Sequence, residues 1–557
     1  MKKTGTDIHV PYDILRHPLV VSASTRNKVS PTSMSAILTS FIEACGGDTS
    51  AVNLHWSTAY RYKVEGCNTI AQKLKENWKP PKVGLVHWDG KLMDTLDTFS
   101  EEERLPILLS GIGGIKLLGV PALPHKSTEY AGTLVSEVTY NALNEWECVN
   151  AAKGMVFDTT TSNTGHKTAA CVAVQTKLER PLLWFACRHH IGEIVLTHVW
   201  DALQIEVSKK PEVTLFERFK ANFDSITHSD ITGLDFPVVD ETLIEPKEEI
   251  IKLCKKLLPE KFTRGDYKEL ITLTLLYLSD ENGKGFTKFQ RPGALHKARW
   301  MAKLLYTIKM VLLASKINEE LPKGAVFAKN QLPKLIRFVK FAIFCYVPWW
   351  STAPVSSSAP YNDLLLLKTF ENYRNIDKIS ADAAIKAISN HLWYLTEELV
   401  PLALFSSSVS DSTKAKMVEK LQEVDKRICS KRLGPTAYGK PAMPKLPESF
   451  DVDLSHFVGE DSWSFFHILN FGYEFLDHPV EEWSSNDCYQ DCKKVVSSLS
   501  IVNDGAERGV KLAHENIDKA RKEDNFQNIL QVIENDRKSK ENQRKPHIKP
   551  KSWFLKL

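Results

Sequence analysis

Residues 155–202 read MVFDTTTSNTGHKTAACVAVQTKLERPLLWFACRHHIGEIVLTHVWDA, and this stretch decides the fold. An apolar run at residues 155–157 ends on Asp158, and a second run at 182–186 ends on Cys-Arg-His-His at 187–190. Short apolar runs bounded by polar turns are typical of buried strands, and the apolar spacing after the second run predicts a helix. Since strand ends of an α/β sheet meet at one edge, metal-capable side chains are expected at that edge.

The composition is that of a globular protein with several domains. Its 557 residues include 72 basic and 68 acidic residues, so a surface for a polyanion must come from local clustering. The ten cysteines lack a dense spacing pattern, which predicts reduced thiols in a cytosolic or nuclear protein. Residues 1–31 have no signal-peptide pattern and no run reaches about 18 apolar residues, so we expect no membrane partner.

Segments upstream of residue 155 complete the predicted sheet. Three apolar runs and then one helical pattern occur at residues 82–88, 105–109, 116–120 and 133–153. The first run ends at Asp89, and the glycines between the second and third favour antiparallel strands. The order is strand, strand, strand, helix, strand, helix, strand. That order predicts an α/β, RNase H-like mixed sheet, in which the first and fourth strands are adjacent and end at Asp89 and Asp158.

The N-terminal part, residues 1–79, predicts a helical arm. Ser30 can cap a helix that starts at Pro31, and Gly46-Gly47 would end it. A second helix follows and carries Arg61 and Lys63. Helix, glycine turn and basic-aromatic helix favour a helix-turn-helix unit for DNA binding or dimerisation, with Arg61 and Lys63 on DNA. A helical arm without that role is the alternative.

The remaining boundaries follow from changes in periodicity and composition. Helical patterns without strand alternation dominate the region after residue 204, and residues 536–557 carry eight basic side chains against two acidic ones. That tail could contact phosphates or serve nuclear import. The predicted parts are the first part of the catalytic core at 80–204, an all-helical insertion domain at 205–450, a return to the core at 451–535 and a basic tail at 536–557.

Two aspartates that follow neighbouring strands suit a two-metal site. Carboxylates hold Mg²⁺ or Mn²⁺ ions about 3.5–4 Å apart, and such a pair clamps the attacking and leaving oxygens of a phosphodiester. Gly90 follows Asp89, and small polar residues follow Asp158, which leaves room for a bulky phosphate. Taken singly, either aspartate could be an ordinary turn residue at a strand end.

These motifs resemble those of the hAT group of DNA transposases. Asp89 and Asp158 are similar to the family's first two catalytic aspartates, and Cys187 with His190 matches its C-x-x-H motif. Arg299-Trp300 resembles the Arg-Trp pair of the family's helical insertion domain, placing both residues near DNA. Residues 481–510, EEWSSNDCYQDCKKVVSSLSIVNDGAERGV, resemble its C-terminal dimerisation region.

The resemblance implies a nuclear enzyme with a D-D-E triad that cuts and rejoins double-stranded DNA. Water attacks a transposon-end phosphodiester, a hairpin forms on the flanking DNA, and a freed 3′-OH attacks target DNA. A two-metal site of Mg²⁺ or Mn²⁺ and a homodimer or higher homo-oligomer are implied as well. The alternatives are a domesticated transposase that binds DNA or dimerises without cutting, and a structure-specific nuclease. The N-terminus lacks the zinc-finger pattern that hAT transposases often carry.

The third carboxylate has three candidate positions. Glu507 is preferred because Asn503 can cap its helix, and the small residues beside Glu507 allow close approach to a sheet. Glu482, or its neighbour Glu481, matches the family's catalytic glutamate by position. Glu398, with Glu397 beside it, is the third candidate. Each of them could instead be a structural or surface acid.

Two further motifs have both a functional and a structural interpretation. Cys187 and His190 could form half of a Zn²⁺ site, a less favoured interpretation than a buried cysteine beside an orienting histidine. Candidates for completing that zinc site are Cys171, His189 and His391. Trp300 could stack on a flipped base or could belong to a helix core.

Overall fold

The computed structural model describes most of the chain. The described residues are 9–27, 29–94, 101–123, 131–165, 169–206, 213–228, 241–260, 262, 264–278, 289–293, 300–424, 439–505 and 523–543. The backbone alone is described for residues 91–94, 101, 102, 131, 241, 300, 523–527 and 540–543. Glu507, Arg299 and most of the basic tail therefore lie outside the described residues.

The protein has a mixed α/β fold with two sheets in its described part. The strands are β1 (Gly84–Trp88), β2 (Lys91–Asp94), β3 (Glu101–Arg104), β4 (Ile107–Gly111), β5 (Gly114–Gly119), β6 (Ala122–Leu123), β7 (Ala152–Phe157) and β8 (Leu183–Ala186). The larger sheet has the order β5-β4-β1-β7-β8, and the smaller one β2-β3-β6. Strands β1, β4 and β5 pair antiparallel, and β7 pairs parallel with β8.

Helices make up most of the remaining described chain. They are α1 (Pro18–Arg26), α2 (Pro31–Ala44), α3 (Trp56–Glu76), α4 (Ala131–Glu145), α5 (Thr161–Thr164), α6 (Ala170–Leu178), α7 (Arg188–Ala202), α8 (Thr214–Asn222), α9 (Ile244–Leu257), α10 (Gly265–Leu278), α11 (Trp300–Leu312), α12 (Ala314–Glu320), α13 (Gln331–Phe341), α14 (Val347–Thr352), α15 (Ala359–Tyr373), α16 (Lys378–Ile388), α17 (Asp411–Glu423), α18 (Ser462–Leu469), α19 (Asp487–Ser498) and α20 (Glu523–Gln543). None of these helices is both long and apolar enough to cross a membrane.

The chain divides into two compact units. Unit 1 comprises residues 1–153, 162–180 and 503–557, and unit 2 comprises residues 154–161 and 181–502. Within unit 1, Leu530 and Ile533 of α20 join a core with residues of β4 and β5. Val532 of the same helix packs on α1 and α3. This late helix therefore fills the core of a unit built mainly from the first 153 residues.

Unit 2 is dominated by helices around buried aromatic side chains. The rings of Phe157, Trp184 and Trp393 contact one another, with Trp184 and Trp393 stacked at a centroid distance of 6.0 Å. Trp184 belongs to β8, so this cluster joins a strand to the helical region. Aromatic pairs of this kind stabilise a core beyond the area that they bury.

Several elements confirm the sequence-based prediction. Helix α2 begins at Pro31, and the Ser30 hydroxyl accepts the Ser33 amide at 3.0 Å, as a helix cap does. The runs at 82–88, 105–109 and 116–120 overlap strands β1, β4 and β5, whose antiparallel pairing was expected. The strand before Asp158 and the helix after Cys187 are also present.

Two local predictions were wrong. The helix expected at 133–153 ends at Glu145, because Glu147 adopts a left-handed φ of 53° and the chain turns there. The small sheet of β2, β3 and β6 was not predicted. Strand β3 reads Glu-Glu-Glu-Arg and lacks the apolar alternation by which strands are recognised.

Gly192 allows a close approach of helices within unit 2. A Cβ atom at this position would lie 2.6 Å from Cζ3 of Trp349 and 2.7 Å from Cε2 of Tyr346. We therefore expect Gly192→Ala to lower the free energy of unfolding by about 1–3 kcal/mol, as overpacking does. Urea denaturation measures the change. Gly265→Ala is the control, since its Cβ would meet no atom within 4 Å, and an equal loss there would contradict the packing argument.

Candidate metal and nucleic-acid site

The first aspartate follows a strand whose last residue, Trp88, makes two hydrogen bonds to other parts of unit 1. All five residues of β1 are buried, and Asp89 comes directly after Trp88. The Trp88 indole donates to Oδ1 of Asn163 at 3.0 Å, and the Asn503 amide donates to the Trp88 carbonyl at 2.8 Å. These two bonds hold the backbone next to Asp89, whose own position is partly exposed. The sequence predicts Asn503 only as a helix cap, and its bond to the strand was not foreseen.

The second aspartate lies at a strand end in unit 2. The register of β7 and β8 pairs Phe157 with Ala186, so Asp158 and Cys187 leave the same edge of the sheet. The Cys187 amide donates to the Phe157 carbonyl at 2.7 Å, which continues the pairing by one step. Asp158 is partly exposed and Cys187 is buried. The two strand ends thus lie side by side at one edge of the sheet.

The residues after Cys187 start helix α7 and have different surroundings. The Arg188 guanidinium is fully buried, pairs with the Asp363 carboxylate, and lies 4.7 Å from the centre of the Trp349 ring. His189 is buried and stacks on Trp350 at 5.7 Å. His190 is partly exposed. Of the three side chains, His190 alone is open to a ligand from solvent.

The described residues fit a metal site only in part. In the ranges given above, no three His, Cys, Asp or Glu side chains are grouped as ligands for a metal ion. Cys187 and His190 are of the residue types that bind zinc. Among the described side chains, however, no third His, Cys, Asp or Glu joins them as a ligand. Asp89 and Asp158 offer the hard carboxylate oxygens that Mg²⁺ or Mn²⁺ prefers, and a third carboxylate would have to be added.

The three candidate glutamates lie in unlike places. Glu507, the preferred one, is outside the described residues. Glu482 belongs to the 3₁₀ helix Val480–Ser485, with a side chain 63% exposed and 3.9 Å from Nδ1 of His478. Glu398 is buried, with 3% of its surface exposed. The exposed Glu482 has the freedom to meet a ligand, whereas Glu398 has the desolvated setting of an interior acid.

The residues predicted to contact DNA differ in how exposed and how free their side chains are. Arg61 is exposed on α3, with its guanidinium 5.4 Å from the Tyr62 ring. Lys63 donates to the Val29 carbonyl at 3.0 Å, which ties its ammonium to the protein. Arg299 lies outside the described residues, and Trp300 begins α11 with only its backbone described. Arg61 is therefore the best placed of these residues to meet DNA.

The surroundings of His391 in unit 2 were not predicted. Burial lowers the pKa of this partly buried histidine to about 4, and the charges of His190, Lys440 and His198 act in the same direction. The Lys440 ammonium lies 4.8 Å from the centre of the Trp393 ring. The run His391-Leu392-Trp393-Tyr394, whose last two residues begin the 3₁₀ helix Trp393–Leu395, was the available signal, and the sequence-based prediction gave His391 only as a candidate zinc ligand.

No protein-family model matches the chain, and no curated protein sequence matches it.

His87 should make unit 1 sensitive to acid. Its Nε2 atom hydrogen-bonds Ser110 Oγ at 2.7 Å, and full burial lowers the pKa of His87 from 6.5 to about 4, with an opposing effect of Asn503. Between these values the unfolded state binds the proton and the folded state does not, so stability falls as the pH drops from 6.5. We expect His87 to account for a loss of about 2 kcal/mol between pH 7 and pH 5.

Urea denaturation of wild type and His87→Gln at both pH values measures this contribution. The variant should have a shallower pH dependence than wild type. His456→Gln, at an exposed position, should keep the wild-type dependence. An unchanged pH dependence in His87→Gln would show that other groups cause the acid sensitivity.

Proposed function

We propose that this protein is a metal-dependent DNA transposase with an RNase H-like core. It cuts and joins transposon-end DNA through phosphodiester hydrolysis and strand transfer. Asp89 and Asp158 supply two of its three catalytic carboxylates, and Glu507 is the preferred third. The resemblance to hAT transposases supports the reaction class, since Asp89 and Asp158 are similar to that family's first two catalytic aspartates.

The observation that carries the proposal is the strand order of the larger sheet. Three successive strands, β1, β4 and β5, pair antiparallel, and the later strands β7 and β8 extend the sheet on the other side of β1. An RNase H-like sheet has this order, with its first and fourth strands as neighbours. Asp89 follows β1 and Asp158 follows β7, the positions that the D-D-E arrangement requires.

Each aspartate has a defined task in this proposal. Two divalent ions would activate the attacking oxygen and stabilise the leaving oxygen. Asp89 and Asp158, which are partly exposed and so accessible to DNA, would hold and orient these ions through their carboxylates. The bonds from Trp88 to Asn163 and from Asn503 to Trp88 keep the Asp89 backbone in place. Such pre-organisation matters because a displacement of about 1 Å can slow a reaction 100-fold.

The remaining parts of the proposal concern partners and location. Double-stranded transposon ends and target DNA are the substrates, and a homodimer or higher homo-oligomer in the nucleus is the acting form. The exposed Arg61 on α3 supports a DNA contact of the N-terminal arm. Residues 481–510 support self-association through their resemblance to the family's dimerisation region.

The test is a cleavage assay with the full-length protein. The substrates are a labelled duplex and a labelled DNA hairpin, incubated with Mn²⁺ or with EDTA, and binding is measured separately by fluorescence anisotropy. Cleavage that requires Mn²⁺ and generates new 3′-OH ends supports the enzyme. Joining of those ends to a second duplex separates a transposase from a structure-specific nuclease. Binding without cleavage under all conditions would contradict the enzyme and favour the domesticated, non-catalytic protein.

A further inference from the structure

Two thiols lie one helical turn apart on α19, outside the proposed catalytic residues. Cys488 and Cys492 are four residues apart, and side chains at this spacing share one face of a helix. The Cys492 thiol donates to the Gly472 carbonyl at 3.6 Å. A Cβ atom at Gly472 would lie only 2.6 Å from Sγ of Cys488. Both sulfurs therefore lie against the same residue of the facing segment.

The two thiols also contact each other and are open to solvent on one side. Burial raises the pKa of both, and a hydrogen bond between Cys488 and Cys492 acts on both values as well. The Glu474 carboxylate accepts the Cys488 thiol at 3.2 Å. Cys492 is 4% exposed, Cys488 is partly exposed and Glu474 is exposed. A small ligand can thus reach the pair through Cys488.

The segment that faces the two thiols is firmly held. It continues into the 3₁₀ helix Glu474–Asp477, and the ring of Phe475 packs against Tyr489 at a centroid distance of 5.2 Å. Tyr489 follows Cys488 in α19, so this contact fixes the two segments relative to each other. Side chains that are already in place lose little freedom when a ligand binds.

The spacing of the two cysteines favours an ion between the sulfurs over a bond between them. Cβ atoms four residues apart on a helix are separated by about 5–6 Å, whereas a disulfide needs about 3.5–4.5 Å. A disulfide would therefore require α19 to distort. A metal ion between the sulfurs spans the larger distance and leaves the helix intact.

The donor types identify the kind of ion. Thiolate sulfur is a soft ligand that suits copper(I), whereas Mg²⁺ and Ca²⁺ require oxygen, and a structural Zn²⁺ ion takes four ligands. Among the described side chains, no three His, Cys, Asp or Glu are grouped for a metal ion, so the pair supplies two sulfurs. Copper(I) is commonly bound by two thiolates in a linear arrangement, and a pair is then sufficient.

We propose that Cys488 and Cys492 bind one copper(I) ion through their two sulfurs. Binding displaces both thiol protons to solvent, and the Glu474 carboxylate is placed to accept the one from Cys488 on the way. The bound pair carries two thiolate charges against one positive charge. Cys488 is in the first turn of α19, where the helix end favours negative charge. This site goes beyond the proposed function and does not depend on it.

The experiment titrates the reduced full-length protein with copper(I) without oxygen, in competition with a chelator whose copper(I) complex is coloured. Cys488→Ser is expected to lose one tightly bound ion per chain, and Cys492→Ser should lose the same ion. The affinity for that ion should fall by more than about 100-fold, since loss of a group that only supports a metal ligand already costs about 10–100-fold.

Matched variants separate this pair from the other cysteines. Cys45→Ser changes an exposed cysteine of the N-terminal arm and should retain the ion. Gly472→Ala keeps both sulfurs but places a methyl group against Cys488, so it should weaken binding about tenfold. Thermal unfolding verifies the folding of each variant. It also gives a second measurement, because a bound ion raises the unfolding temperature of wild type.

Each outcome decides the proposal. Loss of one tightly bound ion in both variants of the pair, with the full number in Cys45→Ser, supports it. An unchanged number in Cys488→Ser, or the same loss in Cys45→Ser, overturns it. Displacement of the copper(I) ion by an equimolar amount of Zn²⁺ also overturns it, because the pair would then prefer a different metal.

Discussion

Under the proposed function, replacing Asp158 with asparagine is expected to slow metal-dependent DNA cleavage by about 1,000-fold or more. The amide keeps the size of the side chain and one oxygen, but it removes the negative charge that a divalent ion requires. A rate loss of this size corresponds to about 4 kcal/mol of transition-state stabilisation. Asp158 is partly exposed at the end of β7, so the fold should tolerate the change. Single-turnover cleavage rates in Mn²⁺ measure the effect.

One control and one matched variant accompany this prediction. Asp201→Asn changes an exposed aspartate in the last turn of α7 and should leave cleavage unaffected. Asp89→Asn should lose as much activity as Asp158→Asn. The double variant should lose little more, because residues that act as a unit are not additive. Cleavage by Asp158→Asn at the wild-type rate would exclude Asp158 from the catalytic residues.

Replacing Arg188 with methionine is expected to destabilise the protein by about 3–5 kcal/mol. Arg188 and Asp363 form a salt bridge with 0% and 1% of their side chains exposed, so removing the arginine leaves a buried carboxylate without its countercharge. The Trp349 indole, which donates to Asp363 at 2.9 Å, cannot replace a full positive charge. Urea denaturation followed by circular dichroism measures the loss.

A second substitution tests whether the buried charge causes the loss. Arg188→Met with Asp363→Leu should recover most of the stability, because two apolar side chains can replace a buried ion pair at little cost. Arg374→Met is the exposed control. Its ion pairs with Glu371 and Asp382 are open to solvent, and their removal should cost about 1 kcal/mol or less. A comparable loss in Arg374→Met would refute the role of burial.

The sequence predicted those parts of the fold that depend on neighbouring residues. Ser30 and Pro31 define a helix start through contacts three residues apart, and the apolar runs before Asp89 and Asp158 are long enough to be recognised as strands. Strand β3, which pairs with β2, was not predicted because its three glutamates give no apolar alternation. Periodicity carries no information about strands whose side chains are charged.

Within the candidate site, only the residues that belong to a local sequence motif were predictable. Asp158 and Cys187 stand at the ends of apolar runs, and their shared edge follows from the pairing of β7 with β8. Arg188 lies inside the same motif, but its partner Asp363 is 175 residues away. Lys440 likewise meets Trp393 through tertiary structure. Such long-range contacts depend on how the helices pack, and the sequence pattern does not show which helix faces contact each other.

The composition of the unit 1 core has a consequence for folding while the chain is being synthesised. Leu530, Val532 and Ile533 of α20 fill that core, and the Gln531 amide donates to the Leu117 carbonyl more than 400 residues earlier. During synthesis at about 5–20 residues per second, the N-terminal helices and the outer strands must wait about 20 s or longer for this helix. Most of unit 2 is contiguous at residues 181–502 and can fold during that interval. A nascent chain thus exposes the apolar surface of β4 and β5 throughout elongation, which makes its earliest part the one that most needs a chaperone.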